Sequence, residues 1–126
     1  MGLAITTKIA KKKMLLARAG VAALPEIAGM AFGSGGVDEN GEVIAPEDGQ
    51  AELNNEIYRK DIERYEIVSD TQVRYYCELE EGELTGAKIN EIALVDAEGD
   101  IITIKHFKTK EKDNDFSFVF KVNDTM

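Results

Sequence analysis

Two apolar segments separated by a short acidic turn constrain the fold of this chain more than any other feature. They are Ile89–Val95 and Ile101–Phe107, and the turn between them reads Asp96-Ala97-Glu98-Gly99-Asp100. Gly99 can adopt the positive φ that closes a short hairpin, so the pattern predicts two adjacent antiparallel strands. Apolar residues occupy successive positions in both segments, which predicts central strands covered on both faces.

Other segments predict further strands. Apolar and polar residues alternate in Thr71–Glu80, which is typical of a half-buried strand, and Phe116–Val122 alternates in the same way. Residues 27–33 form a short apolar segment, while Leu53–Val68 has a less regular period that predicts one strand with a bulge or bend. We therefore expect about six strands.

The N-terminal part predicts a helix. Residues 7–24 are mostly good helix formers, with apolar residues at three- and four-residue spacing. Thr6 or Thr7 can act as N-cap, and Pro25 disfavours helix at Leu24. The predicted fold class is α+β: an N-terminal amphipathic helix, about 7–24, packed on an antiparallel β sandwich or bent sheet. A chain of 126 residues suits one core, so we expect a single domain over 1–126 with its β-rich part at about 27–122.

Charge is distributed unevenly. The first twenty residues carry a charge of +5. Because the net charge of the whole chain is −9, the remaining residues carry −14. These cations form a candidate docking patch for an acidic neighbour: Lys8, Lys11, Lys12, Lys13 and Arg18. The alternative that these side chains form only a solvated helix face, without a partner, stays open. A net acidic body argues against nucleic-acid binding, and no segment approaches the ~20 apolar residues of a membrane span, so we expect neither partner.

Side chains that commonly perform catalysis are scarce. Cys77 is the sole cysteine and His106 the sole histidine, and both lie in predicted strands. The alternation places Cys77 on the apolar face, which predicts a buried, inert thiol, and we expect a packed or strand-surface histidine. A lone cysteine forms no internal disulfide, so the chain is expected to fold in a cytoplasm. We expect no catalytic residues and therefore no enzyme.

Metal and phosphate sites are not predicted either. The acidic loops 38–42 and 96–100 lack the glutamate that a calcium loop needs at its twelfth position, where Gly49 and Phe107 stand. The turn Gly33–Gly36 lacks the lysine of a phosphate-binding loop. Zinc would find too few histidine and cysteine ligands. We expect no metal and no cofactor.

Three motifs occur in a fixed order: the glycine-rich turn Phe32–Gly36, the segment Leu53–Arg59, and Ile89–Ile102. Their order and spacing resemble the N-terminal domain of phage tail-collar fibre proteins, over roughly residues 3–105. The resemblance implies structural turns at Gly33, Gly35 and Gly99. It also implies a structural part of a phage or prophage tail, because this domain of the family joins the fibre to the baseplate.

The same resemblance implies the surroundings of the protein. Its partners would be other tail or baseplate proteins, with the chain itself in a homo-oligomer, and a trimer is favoured because the fibres are typically trimers. It would be located in the virion tail and made in the host bacterial cytoplasm. A function of another class stays open, namely a small β-sandwich module that binds a ligand or carbohydrate in the loops at one end of the sheet. Exposed aromatic side chains would favour that alternative, but the chain has no Trp and most of its Tyr and Phe residues fall in predicted strands.

Overall fold

The structure, a computed structural model, describes residues 3–126 and consists mainly of antiparallel strands. The elements in chain order are β1 (Leu3–Thr6), α1 (Lys8–Arg18), β2 (Ile27–Gly33), β3 (Glu56–Asp61), β4 (Arg64–Ser69), β5 (Gln72–Leu79), β6 (Lys88–Asp96), β7 (Ile101–Glu111) and β8 (Phe118–Thr125). Five strands form a large sheet in the order β1-β7-β6-β2-β3, and three form a small sheet in the order β4-β5-β8. The α+β class is confirmed in this coarse form, but there are eight strands rather than about six.

The two additional strands have separate origins. β1 has only four residues and pairs with β7, from Leu3 opposite His106 to Thr6 opposite Thr103. The single strand predicted over Leu53–Val68 is wrong, because that segment forms β3 and β4, which belong to different sheets. The chain passes from one sheet to the other between Asp61 and Arg64.

Helix α1 begins as the sequence predicts and ends earlier. Thr7 is the N-cap, and its side chain accepts a hydrogen bond from Ala10 N at 3.3 Å. The helix ends at Arg18 instead of near Leu24, because Gly20 adopts a φ of +78°. Gly20 N donates to Ala17 O and the following N–H to Leu16 O, which is the bonding pattern of a Schellman motif. No helix in residues 3–126 has the length and apolar character needed to cross a bilayer.

The core lies on both faces of the large sheet. In β6, Ile92 and Leu94 pack into a cluster shared with the small sheet, whereas Ala93 and Val95 pack into a second cluster on the opposite face. All four are at most 4% exposed, which confirms for β6 the prediction of a strand covered on both faces. In β7, Ile102, Lys105 and Phe107 stay partly exposed, so the prediction holds there only in part. The small sheet contributes three buried residues to the first cluster, namely Cys77, Leu79 and Val122. The two sheets therefore meet over one common core.

Candidate functional site

A buried carboxylate joins the three sequence motifs. Glu91 lies in β6, within the third motif, and is fully buried. Its Oε2 accepts hydrogen bonds from the backbone N–H groups of Gly35 and Asn55, and its Oε1 accepts one from Asn54, each at 2.8 Å. Gly35 belongs to the first motif and the two asparagines to the second. Because a buried carboxylate needs several donors, Glu91 fixes both ends of the long connection between β2 and β3.

The glycines of the first motif are required by close approach rather than by positive φ. A Cβ on Gly33 would lie 2.5 Å from Glu91 Oε2, and one on Gly35 would lie 2.5 Å from Asn54 Cβ. A Cβ on Gly36 would lie 2.2 Å from Asn90 O, and Gly36 N donates to Asn90 Oδ1 at 2.7 Å. The glycine-rich turn is therefore packed against β6.

His106 secures the middle of the same connection. It is fully buried, and its Nδ1 lies 2.6 Å from Ile44 O. Because a carbonyl oxygen only accepts, Nδ1 carries the proton of this hydrogen bond. Nε2 lies 3.6 Å from Glu91 Oε1 and has no hydrogen-bond partner among residues 3–126. Glu91 and His106 are the kinds of side chain that acid–base catalysis uses, but both are 0% exposed, so no substrate reaches them here.

Cys77 is also buried, as the alternation of β5 predicts. Burial raises the pKa of its thiol to about 12. The Sγ atom lies 3.6 Å from Asp61 O. A thiol in this environment carries almost no thiolate at neutral pH and is a poor nucleophile.

Lys13 connects the helix to the turn of the β6–β7 hairpin. Its Nζ lies 2.5 Å from Asp96 Oδ2, 2.8 Å from Glu98 Oε1 and 2.7 Å from Asp100 Oδ2. Within the turn, Asp96 Oδ1 accepts from the backbone N–H groups of Glu98 and Asp100, each at 3.0 Å, and Gly99 has a φ of +88°. Asp96 therefore orders the turn with one carboxylate oxygen and forms an ion pair with Lys13 of the helix with the other.

The ammonium supplies the positive charge that this acidic turn requires. Burial alone would lower the pKa of Lys13, but hydrogen bonds to Asp100, Asp96 and Glu98 raise it. Burial would raise the pKa of Asp96, yet the hydrogen bond from Lys13 leaves it lowered. The three carboxylates have ligand atoms within 4.8 Å of one another, which is the spacing a metal ion would need. The Lys13 ammonium stands between them, so a metal ion would have to displace it.

The other cations of the candidate docking patch lie at the surface. Lys8, Lys11, Lys12 and Arg18 are exposed, whereas the Lys13 side chain is only 12% exposed. The structure therefore separates Lys13 from its neighbours in the sequence. Three lysines and one arginine remain available for contact with a partner.

A cluster of ionisable side chains around Glu83 was not predicted from the sequence. The Tyr58 hydroxyl donates to Glu83 Oε2, and Lys60 Nζ lies 3.0 Å from Glu83 Oε1. Lys60 Nζ also donates to Glu78 O at 2.9 Å. Burial would raise the pKa of Glu83, but the hydrogen bonds from Tyr58, Glu80 N and Lys60 lower it to about 2. Since Tyr58 and Lys60 lie in β3 and Glu78 in β5, this cluster ties the large sheet to the small one.

Comparison with known proteins identifies the family. A model of the phage tail-collar fibre protein N-terminal family matches residues 2–119, which is nearly the whole chain. Searches of the curated proteins and of the solved structures returned no match. The matched range contains all three motifs that meet at Glu91. The chain belongs to the phage tail-collar fibre N-terminal family, and it is a phage tail fibre structural protein of the virion tail.

Proposed function

We propose that this chain attaches a tail fibre to the baseplate by protein–protein assembly and has no catalytic role. It is made in the host bacterial cytoplasm and assembles there as a homo-oligomer, with a trimer as the favoured state. The family supports this role, since its members are tail fibre proteins. The burial of Glu91, His106 and Cys77 fits it too, because the side chains best suited to catalysis serve the fold instead.

The observation that carries the attachment role is the exposed basic surface of α1. Lys8, Lys11 and Lys12 are exposed on a helix without an acidic residue in its first turn, while the whole chain carries −9. Exposed charges are screened beyond ~8 Å at physiological salt, so such a patch acts mainly on orientation and association rate. Its partner is therefore a neighbouring tail or baseplate protein with an acidic contact surface.

Charge reversal tests this proposal. We expect the triple variant Lys8→Glu, Lys11→Glu and Lys12→Glu to bind the adjacent tail proteins more weakly, with the larger loss at low salt. Co-purification of co-expressed tail proteins and the association rate at two salt concentrations are the measurements. Lys13 is left unchanged because its ammonium is part of the fold.

A matched control carries the same change of charge on another surface. Lys108, Lys110 and Lys121 are exposed, and reversing these three to glutamate should leave the association unchanged. Equal loss in both triple variants would reduce the effect to net charge. Unaltered binding in the α1 variant would refute the basic surface as the attachment site.

A further inference from the structure

An apolar groove lies between the two sheets at the end nearest the helix. Its volume is about 380 Å³, within the ~300–1,000 Å³ typical of binding pockets. Met14 and Leu24 line it on the helix side, and Tyr65, Ile67 and Tyr75 line it on the side of the small sheet. The inward face of β5 explains its origin. Cys77 and Leu79 are buried in the common core, Tyr75 packs against that core and also lines the groove, and Val73 lines the groove further along the strand.

Several large apolar side chains of the groove are exposed to solvent. Ile67 is 71% exposed, Tyr65 62%, Leu24 54% and Met126 70%. Contiguous apolar residues of this kind commonly mark an interaction site, whereas scattered ones do not. Strand β4, which supplies Tyr65 and Ile67, is also at the edge of the small sheet, and all six of its residues are exposed.

The charges of the groove indicate the chemistry of what covers it. Asp124 lines the groove beside Val73, its partner in the β5–β8 register, and burial raises the pKa of its carboxyl. The Asp124 carboxylate forms neither an ion pair nor a side-chain hydrogen bond with residues 3–126. Lys13 also lines the groove, but its ammonium already forms ion pairs with the three carboxylates of the hairpin turn. Glu26 adds a second negative charge to the lining. As lined by residues 3–126, the groove is therefore apolar, anionic and without a free cation.

We propose that this groove binds a segment of another tail protein that places a lysine or arginine on Asp124 and apolar side chains against Tyr65 and Ile67. A volume of about 380 Å³ is near the low end of the ~300–1,000 Å³ range of small-molecule pockets, so the groove receives individual side chains of the segment rather than its whole backbone. A two-fold contact with a second copy of this chain is disfavoured, because it sets the same patch against itself and brings Asp124 and Glu26 towards their own counterparts. The site is distinct from the α1 lysines, so it stands or falls independently of them.

The test uses the full chain and an array of ten-residue peptides. Each peptide carries one lysine or arginine at a spacing of one to four residues from a leucine, isoleucine or phenylalanine. We expect a subset to bind, with binding abolished when the cation is replaced by glutamate. Asp124→Asn and Ile67→Thr should each weaken binding by about tenfold or more. Asp48→Asn and Val119→Thr, which change an exposed carboxylate and an exposed apolar residue outside the groove, should not.

Several results would overturn the inference. These are an array without binders, binders that ignore Asp124→Asn, or binding that survives replacement of the cation by glutamate. Sedimentation showing an oligomer that Ile67→Thr dissociates would identify a second copy as the occupant. A glycan-array signal lost in Tyr65→Ala would identify a carbohydrate. Unchanged thermal melts of the variants would show that each measurement reports binding and not unfolding.

Discussion

At the scale of single residues, buried carboxylates organise the parts of the chain that lack regular structure. Glu91 accepts hydrogen bonds from three backbone N–H groups in two separate segments. Glu91→Gln would replace one acceptor oxygen by an NH₂ group facing those donors, so we expect a loss of about 2–3 kcal/mol in unfolding free energy. Thermal melts measure this loss, and Glu39→Gln, at an exposed site, is the control. A melt unchanged by Glu91→Gln would mean that the N–H groups find other acceptors.

Glu83 gives a prediction about pH. Its pKa is about 2 in the folded protein, below the ordinary 4.5. A lowered folded pKa stabilises the fold fully above the unfolded pKa, and this contribution is lost as pH falls from about 4.5 through about 2. Glu83→Gln should therefore cost about 1–2 kcal/mol at neutral pH, less than the full shift implies because the side chain is 19% exposed to screening water. The difference from wild type should shrink on acidification. A constant difference from pH 7 to pH 2 would contradict it, and Glu81→Gln is the exposed control.

At the scale of elements, sequence reasoning succeeded where one segment carries its own pattern. The β6–β7 hairpin and β5 follow from local alternation and turn chemistry. β1 could not be found that way, since four residues become a strand only through pairing with β7. The helix end does not follow from the spacing of apolar residues, because Gly20 is the left-handed residue after the C-cap Ala19 and stops the helix before Pro25.

The candidate site was predictable only in part, for the same reason. A glutamate inside the apolar run Ile89–Val95 signals a partnered buried carboxylate, because an isolated one would cost too much. Its partners lie 36 to 56 residues away and follow from the fold alone. The role of Lys13 is likewise invisible in a lysine run, because only the packing of α1 brings it to the hairpin turn.

The hairpin turn gives the prediction at this scale. Gly99 has a φ of +88°, and a Cβ there would meet no atom within 4 Å. The cost of Gly99→Val is therefore backbone strain alone, about 1–2 kcal/mol. Gly99→Asn should cost less, because asparagine tolerates the left-handed region. Chemical denaturation of both variants checks this order, and equal stability of the valine variant and wild type would contradict the strain.

At the scale of the whole molecule, the shared core predicts that the two sheets unfold together. Leu79 of the small sheet is fully buried in the same cluster as Met30 and Phe32 of the large sheet. Leu79→Ala leaves a cavity at that junction and should cost about 2–5 kcal/mol. Because the cluster belongs to both sheets, we expect one transition, with equal calorimetric and van't Hoff enthalpies, at a lower temperature. Hydrogen exchange should show both sheets losing protection by similar amounts. Loss confined to β4, β5 and β8, or a second calorimetric transition, would divide the chain into two folding units and refute a single domain.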